Sequence, residues 1–223
     1  MNASWQSIPP SDRRPIAARK IEIFRKLAAI LARSGISANA ISIAGMLCGI
    51  CAGGAFAATR FVSDLPARLL FAAGAAFVQL RLLANMLDGM VAIETSTDSP
   101  LGELYNEIPD RVSDSAVLVG VGYAAGAMPL LGWLAAILAM LTAYIRAVGK
   151  SVGAGSDFSG PMAKPDRMFL VTFLGAFCAL APASWINSRP AIWILGLICA
   201  GSLATAIRRI AHISATLRSR GRP

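Results

Sequence analysis

Histidine occurs once in these 223 residues, at His212, and the acidic residues number only 12 against 21 Lys and Arg. So little histidine disfavours a zinc site, and any metal chemistry falls to carboxylate and amide oxygens, which suit Mg²⁺, Mn²⁺ or Ca²⁺. His212 itself sits in a basic tail and reads as a solvated surface residue. The four cysteines, Cys48, Cys51, Cys178 and Cys199, all lie in apolar segments, where cysteine behaves as a small hydrophobe. The Cys48-Gly-Ile-Cys51 spacing has no βαβ context, so no redox motif or disulfide framework is implied. The N-terminal "MNASWQSIPPSDRRPIAARK" has no apolar core of signal-peptide type, and nothing in it reads as cleavable. Internal repeats and low-complexity tracts are absent.

What fills the chain instead is apolar: 56% hydrophobic residues, 15% charged and a mean hydropathy of +0.60. That composition suits a polytopic membrane protein rather than a soluble domain. The net charge of +9 does not indicate nucleic acid, because the cations sit at the ends of apolar runs and not in an aromatic-interleaved patch. Six apolar stretches, roughly 37–59, 67–92, 104–126, 128–148, 166–186 and 190–210, are each long enough to cross a hydrocarbon core of about 30 Å. The third carries charge in its first half.

Lys and Arg set the orientation. Seven lie between Arg13 and Arg33, four between Arg146 and Arg167 and five between Arg208 and Arg222, whereas the alternate loops hold only Arg60, Arg68 and Arg189. The positive-inside rule then predicts a cell-membrane protein with both termini cytoplasmic. Residues 1–35 read as a cytoplasmic segment containing an amphipathic helix, with Ile21, Phe24, Leu27, Ala28 and Leu31 on one face and cations between them, suited to lie in the headgroup region. A helix packed on a soluble partner is the alternative. Residues 36–210 form the membrane domain and 211–223 a basic tail. In the first span Gly45, Gly49 and Gly53 clear one face for close helix packing.

The polar residues concentrate in "NMLDGMVAIETSTDSPLGELYNEIPDRVSD", residues 85–114. On a helix Arg81, Asn85, Asp88, Gly89 and Ala92 share one face, and Gly102, Asn106, Asp110 and Asp114 recur at steps of four on the next. Charged groups near a bilayer face a cavity and need counter-charge. Two helices aiming oxygen ligands at one point would bind a hard divalent cation, with substrate phosphates completing its shell. Each feature alone has a plainer reading: Asp88-Gly89 as a helix-end turn, and "STDSPLGE" as a capped surface loop.

This spacing resembles the signature of the CDP-alcohol phosphotransferases: Asp, two residues, Asp-Gly, two residues, Ala-Arg, eight or nine residues, Gly, three residues, Asp, three residues, Asp. Asp88-Gly89, Ala92, Gly102 and Asp110 fit it, while Asn85, Ile93 and Asn106 stand where the family has Asp, Arg and Asp. The segment "SGISANAIS" is also similar to the family's entry to its first span. The resemblance implies an all-α integral membrane fold of six transmembrane helices with an N-terminal interfacial helix, commonly a homodimer. It further implies transfer of a phosphatidyl group from a CDP-alcohol, CDP-diacylglycerol above all, to a hydroxyl acceptor with release of CMP. Carried over by position, Asp110 becomes the catalytic base. Asn85, Asp88, Asn106 and Asp110 become the set for Mg²⁺ or Mn²⁺, and Asp88, Gly89, Ala92 and Gly102 line the nucleotide.

The departures raise their own expectations. Two amides in place of carboxylates remove two negative charges, which Glu107, with Asp114, would restore as added metal ligands. The opposing reading pairs Glu107 and Asp114 with Arg111 or Arg81. Arg81 or Arg111 could also stand in for the signature Arg lost at Ile93. In "RAVGKSVGAGSDFSGPMAKPDRM", Arg146, Lys150, Lys164 and Arg167 could bind an acceptor phosphate or a lipid headgroup, Lys164 and Arg167 being the preferred pair, although topology alone also explains them. Two rival functions stand beside the transferase: a catalytically degenerate relative acting as a nucleotide- or lipid-binding membrane partner, and a small transporter using the acidic cluster as an ion site.

Overall fold

The computed structural model describes residues 22–95, 100–182 and 189–220, without the side chains of Pro100, Leu101, Glu103 and Arg220. Residues 13–21 of the expected amphipathic helix and the "STDS" segment lie outside them. The described residues form seven helices: α1 (Glu22–Arg33), α2 (Ala38–Ala58, continued by a 3-10 turn Thr59–Phe61), α3 (Asp64–Glu94), α4 (Pro100–Gly122), α5 (Pro129–Ser151), α6 (Lys164–Leu180) and α7 (Pro190–Arg220).

Among the described residues, four helical segments are long and apolar enough to cross a membrane: Ala38–Phe61, Asp64–Glu94, Pro129–Ser151 and Pro190–Ser219. The expectation of six spans exceeds this. Among the expected spans, α4 bears Glu107, Asp110, Arg111 and Asp114 along its middle turns, and α6 has only 17 residues. Their polarity and shortness, respectively, separate them from the other four. α7 runs on to Arg220, so the expected boundary at residue 210 falls inside one continuous helix.

Small residues bring α2, α3 and α4 together. A Cβ on Gly45 would lie 3.0 Å from the Cβ of Ala84 on α3, one on Gly49 would collide with Ser113 of α4, and one on Gly53 would strike the Ala116 carbonyl. The glycine stripe is therefore a seam along which α3 and α4 both approach α2. Below it, Phe56, Phe71, Val78, Leu118, Met168 and Leu195 pack the buried core. α1 docks beside the far end of α3, placing Ala28, Leu27 and Leu31 against Ile41, Leu87 and Val91, while Ile23 and Ile30 of α1 stay exposed.

Successive long helices run in opposite directions, and this sorts the polar groups. At one end, Arg68 at the start of α3 donates to the carbonyls of Ala179 (3.2 Å) and Ala181 (2.8 Å), satisfying acceptors that the end of α6 leaves unpaired. At the opposite end gather the last turns of α3, the first half of α4, the end of α5, the start of α6 and the middle of α7. The candidate chemistry lies there.

Candidate active site

On α3 the helical repeat puts Arg81, Asn85 and Asp88 on the face turned to α2 and α4. Asp88 is buried, at 5% exposure. Its Oδ2 accepts from Ser42 Oγ of α2 at 2.7 Å, and its Oδ1 from the Gly89 N–H at 2.6 Å. Asn85 Nδ2 donates across to Asn106 Oδ1 (3.2 Å) and Asp110 Oδ1 (3.1 Å) of α4. Together with Ser42, Gly45, Met46, Arg81, Pro109 and Ser113, these side chains line a narrow cleft. Pro109, inside α4, contributes no backbone donor there.

Arg81 lies beneath the cleft at 1% exposure. It donates from Nε to Ser113 Oγ (2.7 Å), and its Nη2 faces Asp110 Oδ1 (3.1 Å) and Asp114 Oδ1 (2.6 Å). Arg167 of α6 approaches the other oxygen of Asp114 at 3.7 Å and donates to the Met162 carbonyl at 3.0 Å. Asp114 is thus held between two guanidinium groups below the floor of the cleft. Lys164 Nζ, at the first turn of α6, donates to Asn85 Oδ1 at 2.8 Å and also to Asp110 Oδ2.

A second, wider cavity opens on the far side of Lys164 and is lined by Arg111, Arg146, Lys164, Arg167 and Arg209 with Thr142, Ala143, Phe158 and Ala163. Among the described residues, five cations and no carboxylate line it. Arg209 of α7 is fixed by bonds from Nε to the Ser159 carbonyl (2.9 Å) and from Nη1 to the Thr142 carbonyl (2.8 Å), and the Arg146 guanidinium lies over the Phe158 ring at 5.2 Å. The α5–α6 loop is pinned to α7, since His212 Nδ1 lies 2.9 Å from Asp157 Oδ2 and the Met162 N–H donates to Thr205 Oγ1 at 3.0 Å.

No protein-family model matches the chain. Among curated proteins, it is 30% identical to the archaetidylinositol phosphate synthase of Aeropyrum pernix over 174 residues, which span 76% of this chain and 80% of that protein. The chain belongs to the CDP-alcohol phosphatidyltransferase family. The phosphatidylinositol phosphate synthase of Mycobacteroides abscessus is 28% identical over 85% of the chain and 82% of its own length. The inner membrane protein YnbA of Escherichia coli is 28% identical over 58% of the chain and 63% of its own length. The fold is shared with the Mycobacterium tuberculosis phosphatidylinositol phosphate synthase: its structure with CDP-DAG bound matches at a TM-score of 0.71 and 21% identity, covering 86% of this chain and 94% of that one. The structure of the same protein with manganese and citrate matches at 0.71 and 22% identity over 85% and 88%.

The CDP-alcohol phosphatidyltransferases are membrane enzymes that use divalent metals. Among the described residues no group of three or more His, Cys, Asp or Glu is gathered so as to hold a metal, so the amides would have to serve alongside the acids. The surroundings of Asp88 fit that demand. Among the described residues its carboxylate has no cation within ion-pair distance, although a buried carboxylate calls for one. Asn85, Asn106 and Asp110 are the oxygen donors that share its cleft.

Other expected site residues fall differently. Gly89, Ala92 and Gly102 are half-buried near the same helix ends but do not line the cleft. Glu107 faces guanidinium groups, hydrogen-bonded to Arg146 and 3.4 Å from Arg111. Ile93 is half-exposed. Arg146, Lys164 and Arg167 meet in the basic cavity, whereas Lys150 is exposed outside its lining. Two residues escaped the sequence reading. Ser42 closes the "SGISANAIS" segment, and its one signal was a hydroxyl on the same face as the Gly45 and Gly49 seam. Arg209 reads as tail charge, yet Ser202, Thr205 and Ala206 stand seven, four and three residues before it on one buried face.

Proposed function

We propose that this protein transfers the phosphatidyl group of CDP-diacylglycerol to a hydroxyl of an acceptor that itself carries a phosphate. The observation that carries this reading is the position of Asp110. It stands at the junction of the two cavities, tied to Lys164, which lines the basic one. The cleft around Asp88 is the donor half, where the CDP pyrophosphate would lie; a metal bound there would neutralise the phosphate charge and polarise the reacting phosphorus. The basic cavity is the acceptor half. Five cations, offset only in part by Glu107, Asp110 and Asp114 beside them, suit a phosphate monoester far better than an uncharged alcohol, and relatives named phosphatidylinositol phosphate synthase favour inositol phosphate as that acceptor.

In the reaction an acceptor oxygen bonds to the β-phosphorus of CDP-diacylglycerol while the bond from that phosphorus to CMP breaks. Asp110 takes the acceptor's proton as general base, and CMP leaves with the bonding pair. Asn85 and Lys164 orient the Asp110 carboxylate, and Ser42 orients Asp88. Rate gain in such transfers comes mainly from positioning and charge neutralisation.

The same reading places α4 and α6 as the remaining two of six spans, shielded by the neighbours they pack against. The sixteen cations of the N-terminal segment, the α5–α6 region and the C-terminal tail keep both termini and both cavities cytoplasmic. α1 lies at the interface, and the assembly is a homodimer, as the family leads one to expect.

The test uses purified protein in detergent with labelled CDP-diacylglycerol, Mn²⁺ or Mg²⁺, and a panel of inositol phosphate, inositol, glycerol phosphate and serine. CMP release is expected with the phosphorylated acceptors. Release with serine or inositol alone would overturn the acceptor assignment, and no release with any acceptor would favour the degenerate-partner reading.

A further inference from the structure

The two amides and the lysine belong to one arrangement. Asn85 and Asn106 contribute oxygen but no charge, and the Lys164 ammonium sits on Asn85 Oδ1 and Asp110 Oδ2, in the space between the α3 and α4 donors. Asp110 is doubly compensated, by Lys164 and by Arg81. Asp114 is taken up by Arg81 and Arg167, and Glu107 by Arg146 and Arg111. That leaves Asp88 as the one carboxylate lining the cleft with no cationic partner among the described residues. A pair of divalent ions would need several spare carboxylates to offset four positive charges, because hard cations held by few anions bind weakly and repel one another.

We infer that the site takes a single divalent cation, anchored on Asp88, and that the Lys164 ammonium, held between Asn85 and Asp110, supplies the second positive charge facing the substrate phosphates. The inference rests on the transferase reading of the same cleft. It joins the two amides and the lysine in one arrangement: Asn85 and Asn106 bring oxygen without charge, and Lys164 brings a fixed positive charge to Asn85 and Asp110. Lys164 also lines the basic cavity, so the same charge stands between donor and acceptor phosphates.

Manganese counting tests this without turnover. Purified protein in detergent is titrated with Mn²⁺, free ion is followed by electron paramagnetic resonance, and the bound signal is inspected for exchange coupling. Wild type should saturate at one Mn²⁺ per chain with an uncoupled spectrum. Lys164→Gln should still take one ion, roughly tenfold more tightly, because a repelling charge beside its ligands is gone. The triple variant Asn85→Asp, Asn106→Asp, Lys164→Ala should take two ions with a coupled spectrum. Asn85→Asp combined with Lys164→Gln is the fallback where the triple variant does not fold, and it too should gain a second ion. Two coupled ions in wild type, none at all, or weaker binding in Lys164→Gln would each overturn the inference. Two ions with CMP release would leave the transferase reading standing, whereas one uncoupled ion without CMP release under any acceptor would remove the transferase and keep the metal count.

Discussion

Arg81 Nη2 and Asp114 Oδ1 face each other at 2.6 Å with 1% and 3% of their side chains exposed, joining α3 to α4 beneath the Asp88 cleft. Removing one partner leaves the other with only its second contact, Arg81 with Asp110 at 3.1 Å or Asp114 with Arg167 at 3.7 Å, so the loss should approach that of a broken buried pair, about 3–5 kcal/mol. Asp114→Ala and Arg81→Ala should therefore each lower the thermal unfolding midpoint in detergent sharply. The double variant, relieved of the stranded charge, should lose less than the sum of the two. Additive losses would refute the pairing.

Asp110 should separate chemistry from binding. Asp110→Asn keeps the shape and the amide link to Asn85 but cannot accept the acceptor's proton, so CMP release should fall by about 10²- to 10⁴-fold. Calorimetric binding of CDP-diacylglycerol in Mn²⁺ should persist. An unchanged rate would remove Asp110 as the base.

The basic cavity predicts a split between the two substrates. Arg146→Gln should raise the KM for the phosphorylated acceptor about 10- to 100-fold, the worth of one charge-assisted bond of roughly 1.5–3 kcal/mol, and leave the KM for CDP-diacylglycerol near its starting value. Arg209→Gln should do the same and also loosen the α5–α6 loop, since its guanidinium holds the Ser159 carbonyl. Equal effects on both substrates would count against the division into donor and acceptor halves.

Glycine on α2 offers a controlled packing comparison. Gly49→Ala drives a methyl into Ser113, which accepts from Arg81, so it should cost about 1–3 kcal/mol and disturb the cleft with it. Gly54→Ala meets nothing within 4 Å and should be neutral or stabilising by up to about 1 kcal/mol from helix propensity. Thermal unfolding and CMP release on the two variants decide it.

Asp157 gives the loop its pH dependence. Burial pushes its carboxyl up, but hydrogen bonds from Ser159 and the contact with His212 outweigh that and hold it below its ordinary value. A lowered folded value means that the contribution to stability is present above about pH 4 and is lost as pH falls through the lower value in the folded loop. The protection of the Ser159 amide against hydrogen exchange, relative to an unstructured amide at the same pH, should fall on acidification below that range, because that amide donates to Asp157 Oδ1 at 2.8 Å. In Asp157→Asn this pH-dependent step should disappear.

How much of this was legible in advance depended on distance along the chain. Helical periodicity, a local property, put Asn85 with Asp88 and Asn106 with Asp110 on single faces, and the signature spacing turned those faces towards phosphate chemistry. Hydropathy found the long apolar segments for the same reason. At α4 the average is lowered by charges on one face, which pack against neighbours that a window average does not see.

Pairing belonged to the folded molecule. Glu107, equally able on paper to ligate metal or meet a cation, lies against Arg146, 39 residues on. Asp88 finds Ser42 from 46 residues away, Lys164 reaches Asn85 across 79, and Arg209 joins the basic cavity by bonding to Thr142 across 67. Composition and periodicity establish an all-helical membrane protein with two polar helix faces. Which face meets which is decided by close packing along the glycine seam, because the rotation of each helix is set by the volumes of the side chains between them.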